Sequence, residues 1–118
     1  MSAGKQHSFR VLPQIKTAFG RYATGLGMRE SELARLLILR ELRHQQLRVF
    51  MSAGGPVTSG SGGDDKVTAH FPTEADLEAL NAYARGCGIG LGRVGAWIIE
   101  RELNERWFEK ALSQCPAA

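Results

Sequence analysis

The side chains best suited to chemistry stand at alternate positions of two short runs: Gln6, Ser8 and Arg10 in the first, Lys66, Thr68 and His70 in the second. They bring amide, hydroxyl, imidazole and cationic groups and no carboxylate. Such a set suits hydrogen bonding with an acceptor-rich or anionic partner rather than bond making. No carboxylate pair and no Ser, His and Asp set lies at a readable spacing, so the chain is not expected to be an enzyme. His7, His44, His70, Cys87 and Cys115 are scattered without ligand spacing, so neither a metal nor another cofactor is expected. Gly90-Leu-Gly-Arg-Val-Gly95 does satisfy the dinucleotide fingerprint G-x-G-x-x-G. That fingerprint needs a preceding strand, whereas residues 75–85 read as a helix. Nucleotide binding is therefore set aside, and Gly95 is assigned to close helix packing.

Each triplet needs a strand to hold it and helices to cover the strand. In Lys66-Val-Thr-Ala-His-Phe-Pro72, Val67, Ala69 and Phe71 alternate with the polar triplet, the period of a half-buried strand that Pro72 ends. Thr73 to Asp76 reads as a capping-box-like helix start, with the Thr73 hydroxyl accepting a backbone N–H. Leu77, Leu80, Tyr83 and Ala84 form its apolar stripe, and Gly86 and Gly88 stop it. A second helix is expected over residues 91–112. Its Val94, Trp97, Ile98, Ile99, Leu103, Trp107 and Phe108 spread over more than one face, as in a helix buried against a partner.

The first half repeats this order, with an offset of 60 in the strand and 61 in the helices. Phe9 and Val11 then face inward. Ile15, Ala18, Phe19, Tyr22 and Leu26 make the first stripe, and Gly25 and Gly27 its end. Leu33, Leu36, Leu37, Ile38, Leu39 and Leu42 leave the second helix nearly apolar all round. Tyr22-Ala23 matches Tyr83-Ala84, and Arg40-Glu41-Leu42 matches Arg101-Glu102-Leu103. The repeats span residues 6–50 and 66–113. Residues 51–65 between them are aperiodic and rich in Gly and Ser, which reads as a flexible linker. A unit this small cannot bury its own apolar faces, so residues 1–118 are expected to form one domain with one shared core.

At 118 residues and 43% apolar content, no stretch approaches a membrane span and the N-terminal residues lack a signal peptide's apolar region. A cytoplasmic protein with reduced thiols and no membrane partner is expected. Residues 1–50 carry nine Lys and Arg against three acids, a balance of +6, whereas residues 66–118 carry six against seven, a balance of −1. The first half looks more suited to a polyanion.

Strand, helix, helix at this spacing resembles the ribbon-helix-helix family of DNA-binding proteins, the Arc and MetJ type. Gly27-Met-Arg-Glu-Ser-Glu-Leu-Ala-Arg-Leu-Leu37 resembles the lead into that family's second helix. The resemblance implies a mainly α fold with one two-stranded antiparallel ribbon, here an intramolecular pseudo-dimer of order β-α-α-linker-β-α-α. It implies a ribbon lying in the major groove, with Gln6, Ser8, Arg10, Lys66, Thr68 and His70 contacting bases. It further implies phosphate contacts at the starts of the second helices, from Arg29, Glu30 and Ser31 and from Leu91, Gly92 and Arg93. Arg29 and Gly90 depart from the family, where Ser or Thr is common, so a side-chain cap is lost at both and the second half's clamp is the weaker expectation. Tandem members resemble TraY-type accessory proteins of plasmid conjugation relaxosomes, which implies double-stranded DNA and a relaxase or other DNA-processing protein as partners. Transcriptional repression is the other DNA-binding role. Unequal triplets imply an asymmetric site bound by a monomer, with side-by-side association on DNA an option. The rival is a protein–protein interaction module whose second half has lost DNA contact, with Trp107-Phe108 and the nearby acids as its surface.

Overall fold

A computed structural model describes residues 5–55 and 65–114, with side chains over 6–55 and 65–111. The elements run β1 (Lys5–Val11), α1 (Pro13–Gly25), α2 (Glu30–His44), α3 (Gln46–Ser52), β2 (Asp65–Phe71), α4 (Glu74–Cys87), α5 (Leu91–Glu105) and α6 (Trp107–Gln114). The described residues are thus mostly helical, with one two-stranded antiparallel sheet. Pro13 opens α1, where its missing N–H costs no intrahelical bond. Gly27 (φ 73°) and Gly88 (φ 75°) take the left-handed turns that end α1 and α4.

Two helical breaks carry no glycine. Gln45 (φ 52°) and Arg106 (φ 51°) turn left-handed and start α3 and α6. The long second helix expected over 91–112 therefore stops at Glu105, and α6 follows it. The expected linker loses its first two residues to α3, which reaches Ser52, and its last to β2, which begins at Asp65; residues 56–64 lie outside those described.

β1 and β2 pair with Ser8 opposite Thr68 at the centre, flanked by Gln6–His70 and Arg10–Lys66 on one face. The other face is the sheet's contribution to the core: Phe9, Val11, Val67, Ala69 and Phe71 are all but inaccessible to solvent. Burial of each large side chain is worth about 1.5–3 kcal/mol, and the ribbon alone could not provide the cover. The cover is crossed. β1 packs on α5 and β2 on α2, while α2 and α5 pack on each other.

Gly95 is where α5 packs closely, as expected, and the partner is the strand β1. A Cβ there would meet the Phe9 ring at 2.0 Å, and Phe9 is fully buried with no room to retreat. The stripes hold at Phe19, Tyr22, Leu80, Tyr83 and Ala84, but Ala18 is exposed. Thr73 does precede α4 in extended backbone, yet its hydroxyl makes no capping hydrogen bond. No helix among the described residues is long and apolar enough to cross a membrane.

Candidate nucleic-acid interface

Alternation along the two strands and the central register bring all six predicted base-contacting residues to one face of the ribbon. Gln6, Ser8, Arg10, Lys66 and His70 are exposed and Thr68 is half-buried. The Ser8 and Thr68 hydroxyls share a hydrogen bond of 2.8 Å across the strands, which pins the middle of the face. Toward one end Arg10 stands directly opposite Lys66. Like charges opposed in this way weaken a ribbon, and no carboxylate among the described residues of this face offsets them.

The predicted phosphate-contacting residues lie where the sequence put them, at the starts of α2 and α5. Arg29 and Gly90 are the N-cap residues, both extended and both without a side-chain cap. Their carbonyls accept the first intrahelical bonds, from Glu32 and Leu33 and from Arg93 and Val94. The N–H groups of Glu30, Ser31, Leu91 and Gly92 precede the first bonded donors, Glu32 and Arg93, and are not consumed by the helices.

Electrostatics separate the two starts. At α2, Glu30 is bound by Lys16 (2.5 Å) and Glu32 faces Arg29 at 3.9 Å, so each acid has a cation nearby. At α5 the first turn has no acid, and Arg93 is exposed. The local charge at the two starts thus does not follow the net charge of the halves. Because β1 lies on α5, the strand of the basic half is backed by the helix of the other.

A buried polar set that sequence reasoning passed over fixes this arrangement. Tyr22 donates to Glu102 Oε2 and Tyr83 to Glu41 Oε2, each at 2.5 Å and each from one half to the other. The same carboxylate oxygens accept the N–H groups of Phe108 and Leu47 at 2.7 Å, and the tyrosine oxygens accept those of Glu109 and Arg48. Every partner in one set is the partner in the other displaced by 61. Each carboxylate therefore caps a short helix, α3 or α6, where the helix dipole favours negative charge. Burial first, then donation to the carboxylate, holds both tyrosine hydroxyls well above their ordinary range. The available signal was the Arg-Glu-Leu triplet that stands at the same place in both helices, 61 residues apart.

Trp107 is partly exposed rather than core, with the Arg40 guanidinium 3.9 Å from its ring centroid, whereas Phe108 packs against the core. No cluster of three or more His, Cys, Asp and Glu side chains among the described residues could hold a metal ion. G-x-G-x-x-G follows helix α4, not a strand. Comparison with protein families, with curated proteins and with solved structures finds no match to this chain.

Proposed function

We propose that the chain binds double-stranded DNA sequence-specifically, as a tandem ribbon-helix-helix protein whose two repeats form one pseudo-dimer. The observation that carries this reading is the exposed ribbon face: three opposed polar pairs, two cations side by side and no acid among its described residues. A two-stranded ribbon fits the major groove, where Arg10 and Lys66 suit guanine, and Gln6 suits adenine. The repulsion between Arg10 and Lys66 costs the free protein stability and is relieved beside a polyanion.

The pseudo-dimer is supported by the register. An offset of 60 maps Ser8 onto Thr68, the pair on which the ribbon is centred, and an offset of 61 maps α2 onto α5 at both ends. Its outward pairs are unequal, which favours an asymmetric site over a palindrome. The role is that of an accessory factor beside a relaxase in plasmid conjugation or of a transcriptional repressor, in the cytoplasm. Footprinting on DNA from the source replicon separates the two: protection beside a nick site indicates the first, protection over a promoter the second.

The rival interaction module has less to stand on. Arg40 covers Trp107, and Phe108 is turned inward, so the surface assigned to it is small. A gel shift against salt decides the matter. DNA binding should weaken steeply as salt rises, through counterion release, and absence of binding at low salt would remove the DNA reading.

A further inference from the structure

Beside the polar face of the ribbon, between the start of α2 and the end of β2, lies a recess lined by Glu32, Arg35, Leu36, His70 and Pro72. Its volume is about 280 Å³. With water occupying about 30 Å³ per molecule, that is space for a tetrahedral oxyanion and several waters. Arg35 Nε is buried without a hydrogen-bond partner, and the guanidinium has no ion pair among the described residues. Glu32 is three residues away on the same helix, but its carboxylate faces Arg29. A buried, unanswered N–H on a permanent cation is costly, and a planar guanidinium matches phosphate oxygens two at a time. Leu36 and Pro72 wall the recess with apolar surface, which reduces solvent screening of that attraction.

We propose that this recess is a phosphate pocket in which Arg35 grips the phosphate and His70 supplies a second donor. Two sources offer that chemistry: a backbone phosphate of a bound duplex, which rests on the DNA reading above, and a free phosphate, which does not. The pocket is one-sided. At the 61-residue offset Arg35 becomes Ala96 and Leu36 becomes Trp97, both buried, while Glu32 becomes the exposed Arg93 and, at the 60-residue offset of the strands, His70 becomes the exposed Arg10, so the other flank has its guanidiniums at the rim and none within a recess. A duplex held here meets a recessed cation at one end and exposed ones at the other, and that difference fixes which way round an asymmetric site lies.

The side-chain Nε–H resonance of Arg35 in the full chain, assigned by its loss in Arg35→Lys, tests the pocket directly. It should move on titration with inorganic phosphate or with a short duplex, and not with sodium chloride at matched ionic strength. Movement with the duplex makes the occupant DNA, and movement with inorganic phosphate alone makes it a free phosphate. No movement with either, or equal movement with chloride, overturns the pocket. Glu32→Gln, which removes the one acid at the rim, should tighten the phosphate response; an unchanged response would place the anion elsewhere. If wild type binds the duplex, Arg35→Gln should lower the slope of log K against log salt by about 0.9. An unchanged slope overturns DNA as the source. A phosphate response without any duplex binding sinks the DNA reading and leaves the pocket standing.

Discussion

The buried Tyr–Glu sets and the exposed ribbon face are both built from one residue of each half meeting across the middle of the molecule, yet they differ in what is repeated. In the buried sets every hydrogen-bond donor and acceptor recurs 61 residues later, Tyr22 and Tyr83, Glu41 and Glu102, Leu47 and Phe108, and the one inequality is Arg40, which lies 4.0 Å from Glu102 while its counterpart Arg101 pairs with Glu105. On the ribbon face only the central hydroxyl recurs 60 residues later, as Ser8 and Thr68, while Gln6 becomes Lys66 and Arg10 becomes His70. Groups that hold the halves together are constrained by burial, because any unmatched partner would be stranded without water. Groups that face solvent carry no such constraint and are free to diverge toward a partner.

Equality of the two buried sets is the part of the contrast most exposed to experiment. Glu41→Ala and Glu102→Ala should each cost about 3 kcal/mol, since each strands a tyrosine hydroxyl and a helix N–H. Urea denaturation measures both, and a large difference between them would end the claim that one device is made twice. Next in size is a place where the halves are unequal inside the core. Gly95→Ala should cost about 1–3 kcal/mol by driving Cβ into Phe9, and Phe9→Leu in the same chain should recover part of it. On the outward face, Arg10→Ala should weaken duplex binding by about 1–3 kcal/mol and relax preference at one base position. Lys66→Ala should relax a different one, and the same change in preference from both would make the face symmetric in function.

Two smaller effects depend on pH. Both tyrosines hold their protons more tightly folded than unfolded, so their contribution is whole below the ordinary value of 10.0 and is lost as pH rises beyond it. Urea midpoints taken on either side of that pH should fall on the alkaline side, and less so in Tyr22→Phe. Burial lowers His7 below its ordinary 6.5, so the unfolded chain binds the proton first. Stability is then lost as pH falls from 6.5 toward the folded value. His7→Val, which copies Val67 at the matching strand position, should flatten that slope in thermal melts.

Much of the fold was legible because its signals are local. Period-two alternation located both strands and their inward residues, and Gly27 and Gly88 marked real left-handed turns. The breaks at Gln45 and Arg106 were not legible. No glycine or proline stands there, and what supports the turn is a carboxylate six residues before the N–H it accepts, together with a tyrosine from the other half. The partner of Gly95 was hidden for a similar reason, since the ring that excludes a side chain there comes from β1, 86 residues earlier. For the candidate site, the six outward strand residues followed from alternation. Arg35 did not, because its isolation depends on which way Glu32 turns and on where β2 ends.

Because each strand lies on a helix of the opposite half of the chain, neither half has a complete core until the other arrives. Two separate chains would have to meet before either was stable, and at high dilution such pairs come apart by mass action. One continuous chain makes that meeting a first-order event. Its folded fraction should be the same at any dilution, and its two strands can never be exchanged for a second copy of the same one.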